Sequence, residues 1–126
     1  MKRLVIDVDM TLTDGRADNY AEMGVRQEVL DKLRWYKDAG FEIVLYSSRN
    51  MRTHKNNFGK IVARTVPVLV DWLERQKIPY DEIWVGKPWC GEEGFYVDDK
   101  AIRPDEFASL EYSEIRALLN IIPENA

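Results

Sequence analysis

The chain of 126 residues has little of what soft-metal binding requires, with one cysteine, Cys90, and one histidine, His54. A lone cysteine makes no internal disulfide, which fits a reducing cytoplasm as the expected location. No His or Cys cluster is present to hold zinc. No apolar run approaches the roughly 18 residues that a membrane helix needs. The basic start Met1-Lys2-Arg3 leads into an apolar run that already ends at Asp7, so no secretory leader is visible. Basic excess is missing too: 18 Lys and Arg stand against 22 Asp and Glu, a net charge of −4. That balance argues against a general nucleic-acid or membrane-surface binder. There is no internal repeat, low-complexity tract or linker.

What remains is an ordinary globular composition, 45% apolar, in a length that suits one compact domain over residues 1–126. Residues 3–8 predict a buried parallel-type strand, since Leu4, Val5 and Ile6 are consecutive and two are β-branched. Thr13-Asp14-Gly15 marks a turn. Val25, Val29, Leu33 and Tyr36 recur at helical steps and predict a helix over about 24–39, closed by Gly40. A second strand is expected over 41–46, an irregular loop over 49–60, and a helix over about 62–77. That helix presents Val62, Val66, Leu69, Val70 and Leu73, with Pro67 in its first turn or kinking it. Strands over 82–86 and 94–97 and a last helix over about 113–120 complete the pattern. Such alternation predicts an α/β fold, a mostly parallel sheet with helices on both faces. Ligands of such sheets bind beyond the carboxyl ends of the strands.

Each predicted strand ends on a chemically active residue. The first delivers Asp7, Asp9 and Thr11; the second Ser47, Ser48 and Arg49; the third Lys87; the fourth Asp98 and Asp99. If the first and fourth strands are neighbours, four carboxylates converge and repel unless a cation joins them. Oxygen-only ligands suit Mg²⁺, which takes few carboxylates, several waters and substrate phosphate. A metal-held phosphate beside a free carboxylate points to attack by an aspartate on phosphorus. Lys87 and the Ser47 hydroxyl would then neutralise and hydrogen-bond the phosphoryl oxygens. A second acid two residues on would protonate the leaving oxygen and then activate water.

The order D-x-D-x-T, Ser, Lys, Asp-Asp after successive strands resembles the haloacid dehalogenase (HAD) phosphatase superfamily, over residues 3–100. The strings YSSRNMR, YDEIWVGKPW and GFYVDDKAI resemble a narrower group, the short HAD phosphatases of capsule or surface-polysaccharide biosynthesis. The resemblance implies a Rossmann-like three-layer sandwich. It implies Asp7 as the nucleophile that forms an aspartyl-phosphate, and Asp9 as general acid/base with a backbone carbonyl on Mg²⁺. Thr11 would support the turn and Ser47, or its neighbour Ser48, would bind phosphate. Lys87 would balance charge, and Asp98-Asp99 would complete the metal site, with Asp99 as the direct ligand and Asp98 orienting Lys87 or a metal-bound water. Met10 stands where many relatives carry glycine. A receiver domain also gathers acids, a hydroxyl and a lysine, but there the lysine comes last, whereas Lys87 precedes the final acids.

The intervals over residues 12–23 and 49–63 leave room for a small flap and a loop, so no full cap domain is expected. The site is then open to solvent or covered by another subunit of a homo-oligomer. A small phosphorylated metabolite, such as a sugar phosphate, is the implied substrate. A nucleotidase or polynucleotide-end phosphatase and a non-catalytic phosphate-binding scaffold are the alternatives. Arg49, Arg52, Lys55, Lys60 and Arg64 form a run without an acid, readable as an anion-attracting rim or a solvated face. Arg49 is its best candidate for substrate contact. His54 reads as a surface residue, Cys90 as functionally silent, and Trp72 and Trp84 as packing residues. Tyr20 and Trp89 could line the pocket mouth.

Overall fold

The computed structural model describes residues 1–123 and shows an α/β chain in two compact units. One spans Lys2–Trp89; the other begins at Cys90, with Met1 grouped to it. In the first unit three parallel strands stand in the order β1 (Arg3–Ile6), β2 (Glu42–Ser47), β3 (Glu82–Val85). Arg3 lies beside Glu42 and Ile6 beside Leu45; Val44 lies beside Glu82 and Ser47 beside Val85. Strands of this kind alternate their side chains between faces. Leu4, Ile6, Ile43, Leu45 and Ser47 therefore share one face, where the last four are buried.

The opposite face carries Arg3, Val5, Val44, Tyr46, Glu82 and Trp84. Arg3 bonds Glu82 there at 2.7 Å. Val5 is 56% exposed and Trp84 55% exposed. Both findings correct the sequence expectations: β1 stops at Ile6 and is not buried throughout, and Trp84 does not pack. Trp72, by contrast, is fully buried, and its Nε1 donates to the Met23 carbonyl at 2.7 Å.

Helix α1 (Gln27–Asp38) buries Val29, Leu30, Leu33 and Tyr36. It starts later than the periodicity predicts because Gly24–Arg26 is used elsewhere. Asp14 N donates to Gly24 O and Arg26 N to Leu12 O, around an antiparallel bridge between Thr13 and Val25. The small expected flap is thus a clasped loop, carrying one 3₁₀ turn at Tyr20–Glu22. The helix closes as predicted, with Gly40 at φ 95°.

The second helical stretch begins as a single turn, α2 (Phe58–Lys60), inside what the sequence suggests is loop. It widens to a π turn at Ile61–Thr65 and continues as α3 (Val66–Arg75). Pro67 sits in the first turn of α3 and has no N–H to give the preceding turn, and the wider turn lies just before it. Leu69 and Leu73 are buried as the pattern predicts, joined by Trp72, while Val62 faces out.

The unit from Cys90 holds α4 (Pro104–Ser109) and α5 (Tyr112–Leu118), with Phe107 and Ile115 buried. The sequence reading finds α5 nearly in place but misses α4. The six residues of α4 are too few for a periodic signal, though Pro104 at the helix start and Glu106 bonding back to Arg103 N are start signals. The expected strand over 94–97 does not form: those residues are exposed and join no sheet. A strand exists only by pairing, and apolar composition alone does not supply the partner.

Candidate functional site

Asp7 leaves β1 where the strand ends, and the chain then coils tightly. Val8 is fully buried and its carbonyl accepts from the backbone N–H groups of Thr11, Leu12 and Thr13. Thr13, itself buried, accepts from Met10 N at 2.9 Å. This coil puts Met10 at φ 63°, a left-handed conformation that side chains disfavour. It also turns Thr11 back, so that its hydroxyl donates to Asp7 Oδ2 at 3.2 Å.

β2 and β3 bring their terminal residues to the same edge. The Lys87 N–H donates to the Ser47 carbonyl at 3.1 Å, which ties the lysine's backbone to the end of β2. Gly86 makes the intervening turn at φ 85°, and an added Cβ there would meet the Phe58 ring at 2.9 Å. Lys87 Nζ comes within 3.8 Å of Asp7 Oδ1. Asp7 is thereby flanked by a cation on one oxygen and a hydroxyl on the other. Burial still dominates its titration: desolvation holds the Asp7 carboxyl above its ordinary value, against the opposing pull of Lys87 and then Thr11.

Asp9 and Arg49 form the second part of the site. Arg49 Nε donates to Asp9 Oδ2 at 3.1 Å and Nη2 to Oδ1 at 2.7 Å, a two-pronged contact. The Arg49 side chain is 1% exposed. Its guanidinium lies over the Tyr20 ring, 4.0 Å from the centroid. Tyr20 is held there by the clasped loop, which Trp72 and Arg75 bond through the Met23 and Ala21 carbonyls. Arg49 Nη1 is buried with no hydrogen-bond partner among the described residues. Burial and the Asp9 carboxylate raise the Tyr20 phenol above its ordinary value.

The remaining sequence candidates divide. Ser47 is buried, and its Oγ accepts from Arg49 N at 2.9 Å, which leaves the hydroxyl proton to donate. Ser48 is half-buried and its carbonyl accepts from Met51 N. Asp98 and Asp99 belong to the unit from Cys90, both exposed, with Asp98 Oδ1 accepting from Lys100 N. Among the described residues, no three His, Cys, Asp or Glu side chains gather as a metal cluster. The basic run divides: Arg49 is buried, while Arg52, Lys55, Lys60 and Arg64 are exposed. Trp89 is exposed and His54 half-buried.

Sequence reasoning missed the bond between Arg49 and Asp9 and the stacking of Tyr20. The first had a signal, since two opposite charges end adjacent strands. The second had none, because it depends on how the loop closes.

No family model matches the chain, and no curated protein matches it. The chain is similar to a crystal structure of an MCSG target from Vibrio cholerae, with 49% identity and a TM-score of 0.93. The match covers 95% of this chain and 98% of that one. At that identity and coverage the chain belongs to the same family as the Vibrio cholerae protein. No helix among the described residues is long and apolar enough to cross a membrane.

Proposed function

We propose that the chain is an Mg²⁺-dependent phosphomonoester hydrolase that works through an aspartyl-phosphate on Asp7. The observation that carries this is the pairing of a half-buried carboxylate with Lys87 at 3.8 Å, at the carboxyl edge of a parallel sheet. The D-x-D-x-T, Ser, Lys and Asp-Asp order, with its resemblance to HAD phosphatases, adds to it, and with it comes the Rossmann-like three-layer architecture.

In the proposed reaction an Asp7 oxygen attacks phosphorus as the bond to the ester oxygen breaks. Asp9 gives the departing alkoxide its proton. Asp9 then takes a proton from water, and that water's oxygen displaces Asp7 from phosphorus to release inorganic phosphate. Thr11 holds Asp7 in orientation through its hydroxyl. Lys87 offsets charge gathering on the phosphoryl oxygens, and the Ser47 proton is free to bond one of them. Asp9 must release one Arg49 bond to carry a proton. The unpartnered Arg49 Nη1 supports an oxygen-rich ligand nearby, since buried donors are normally satisfied.

The donors at this edge are oxygens, which suits a hard divalent cation. Asp7 and the Asp9 carbonyl are the residues at this edge that would hold Mg²⁺; the Asp98-Asp99 pair is added to them by the resemblance alone. Bound there, the ion would offset phosphate charge as a Lewis acid. A sugar phosphate of surface-polysaccharide synthesis is the proposed substrate. The exposed Arg52, Lys55, Lys60 and Arg64 favour nucleotides or polynucleotide ends as the second reading.

The test is phosphate release from sugar phosphates, nucleotides and an aryl phosphate, with Mg²⁺, with chelator, and in Asp7→Asn. Release that needs both metal and Asp7 is expected. If folded, Mg²⁺-loaded protein releases nothing and takes up no beryllofluoride, the hydrolase reading is wrong and a scaffold remains.

A further inference from the structure

We propose, resting on the phosphatase reading of the site, that Phe58 is the specificity-determining residue for the alcohol part of the substrate. That part carries a ring, which stacks on Phe58, and a second anionic group, which lies beside Lys55 and Lys60. All of these residues, and the reacting groups they serve, belong to the unit Lys2–Trp89.

The end of β3 places the ring. A Cβ built on Gly86 would meet Phe58 Cε1 at 2.9 Å and Cζ at 3.1 Å, so the ring edge lies directly against that glycine. The next residue is Lys87, whose Nζ reaches Asp7 at 3.8 Å and whose N–H bonds the Ser47 carbonyl. Phe58 therefore touches the neighbour of the lysine that faces the nucleophile, at the strand edge where ligands of parallel sheets bind. Its side is still open, 56% exposed. Tyr20, the aromatic on the Asp9 side, already has the Arg49 guanidinium over its ring. Phe58 offers a π face that takes a nucleobase by stacking or the C–H face of a sugar.

The local structure fixes the ring in place. The Asn57 side chain accepts from Lys60 N at 3.1 Å and caps the turn that carries Phe58. Ile61 and Thr65 of the π turn that follows are buried, and Thr65 Oγ1 donates to Asn50 Oδ1 at 2.8 Å. Widened turns of this kind recur at functional sites. Charge surrounds the ring as well. Residues 43–70 hold no acid, and Lys55 and Lys60 flank Phe58, both exposed. Neither pairs with an acid among the described residues. Two uncompensated cations beside the ring, in a chain of net charge −4, favour a substrate with negative charge beyond the reacting phosphate. The substrate class is a ring-bearing phosphomonoester with a further anionic group, a chemistry that nucleoside bisphosphates and sugar bisphosphates share.

The test compares kcat/KM with Mg²⁺ for adenosine monophosphate, adenosine bisphosphate, glucose monophosphate, glucose bisphosphate and the acyclic acetyl phosphate. At least one bisphosphate should be preferred over its monophosphate, by about fivefold, and the pair with the larger preference tells a base from a sugar. Lys55→Gln/Lys60→Gln and added salt should each remove that preference. Phe58→Leu keeps an apolar side chain on Gly86 but has no π face. It should lower the ratio of ring-bearing to acyclic kcat/KM by about tenfold, through KM, while Phe58→Tyr holds the ratio.

An unchanged ratio in Phe58→Leu, or equal losses on every probe, overturns the ring contact. A wild type that prefers neither bisphosphate overturns the second anionic group. Release from acetyl phosphate with neither preference leaves the phosphatase standing and the assignment of Phe58 wrong. If nothing is turned over, the phosphatase reading fails instead, and calorimetry with the same bisphosphates decides for Phe58. Binding that weakens in Phe58→Leu but not in Phe58→Tyr supports the ring site; no binding to wild type overturns it.

Discussion

Arg49 grips Asp9 through two nitrogens, Nε at 3.1 Å and Nη2 at 2.7 Å, from a side chain that is itself buried. The fork fixes the Asp9 carboxylate in plane, and Tyr20 covers the guanidinium from the clasped loop. Arg49→Ala leaves Asp9 without its partner and opens a hole under Tyr20. The expected loss is about 2 kcal/mol of stability, below the scale for a fully buried pair because the Asp9 side chain is 30% exposed. Arg49→Lys keeps the charge but not the fork, so it should restore only part of that stability. Urea unfolding of the three proteins measures both steps. A lysine variant as stable as wild type would show that geometry is unimportant here.

Burial holds the Asp7 carboxyl above its ordinary value of 3.8, so the folded state takes up its proton more readily than the unfolded chain does. Ionised Asp7 therefore lowers stability at neutral pH, and that deficit disappears as pH falls through its folded pKa. Asp7→Asn should raise Tm at pH 7 while abolishing phosphate release. The Tm gap should close on acidification toward the region just above 3.8. A destabilised Asp7→Asn at pH 7 would contradict this account, in which the site trades stability for reactivity.

Met10 adopts φ 63° with its side chain largely exposed, so it bears backbone strain with little packing in return. A left-handed L-residue costs roughly 1–2 kcal/mol, and glycine gives back about 0.4–1 kcal/mol through the freer unfolded chain. Met10→Gly should be stabilising by roughly 0.5 kcal/mol. Met10→Val, β-branched at the same φ, should be destabilising. Denaturation midpoints of the two variants, if equal, would show that the coil after β1 relaxes freely.

Asp81 ties the start of β3 to β2. Its Oδ2 accepts from Ile43 N at 2.8 Å and its own N–H donates to Ile43 O, with Lys37 bonding the carboxylate as well. The Ile43 N–H first, and then Lys37, hold the carboxyl below its ordinary value. Its contribution is therefore present above the unfolded pKa and lost as pH falls through the folded one. Asp81→Ala should lower Tm at pH 7, with the difference closing only below pH 3.8. A pH-independent difference would assign the effect to packing instead.

Much of this molecule can be read from runs of residues. Apolar runs locate β1, β2 and β3 because strand interiors need them, and helical spacing finds α1 and α3. Asp7, Ser47 and Lys87 are legible because strand ends in a parallel sheet share an edge. What escapes is whatever depends on a distant partner. Residues 94–97 have a strand's composition and no ladder; Trp84 lies in a strand and faces outward; the true start of α1 is set by Leu12 and Asp14 across the loop. Local propensity describes what a segment prefers, and pairing decides whether the preference is met.

Lys87 is the largest influence pulling the Asp7 carboxyl down, opposing burial, and its Nζ stands 3.8 Å from Asp7 Oδ1. Lys87→Met removes that cation and keeps much of the bulk. Asp7 then has only Thr11 and the Val8 backbone on the lowering side, so its pKa rises further. An ionised nucleophile is needed for attack, so the acid limb of kcat/KM should move to higher pH in the variant. Release at the optimum should also fall, by about a hundredfold or more, since a charge-stabilising donor is gone. A carboxyl-carbon NMR titration follows the same shift where turnover is too slow. If the rate falls but neither the acid limb nor the titration moves, Lys87 acts on the phosphoryl group alone and does not tune Asp7.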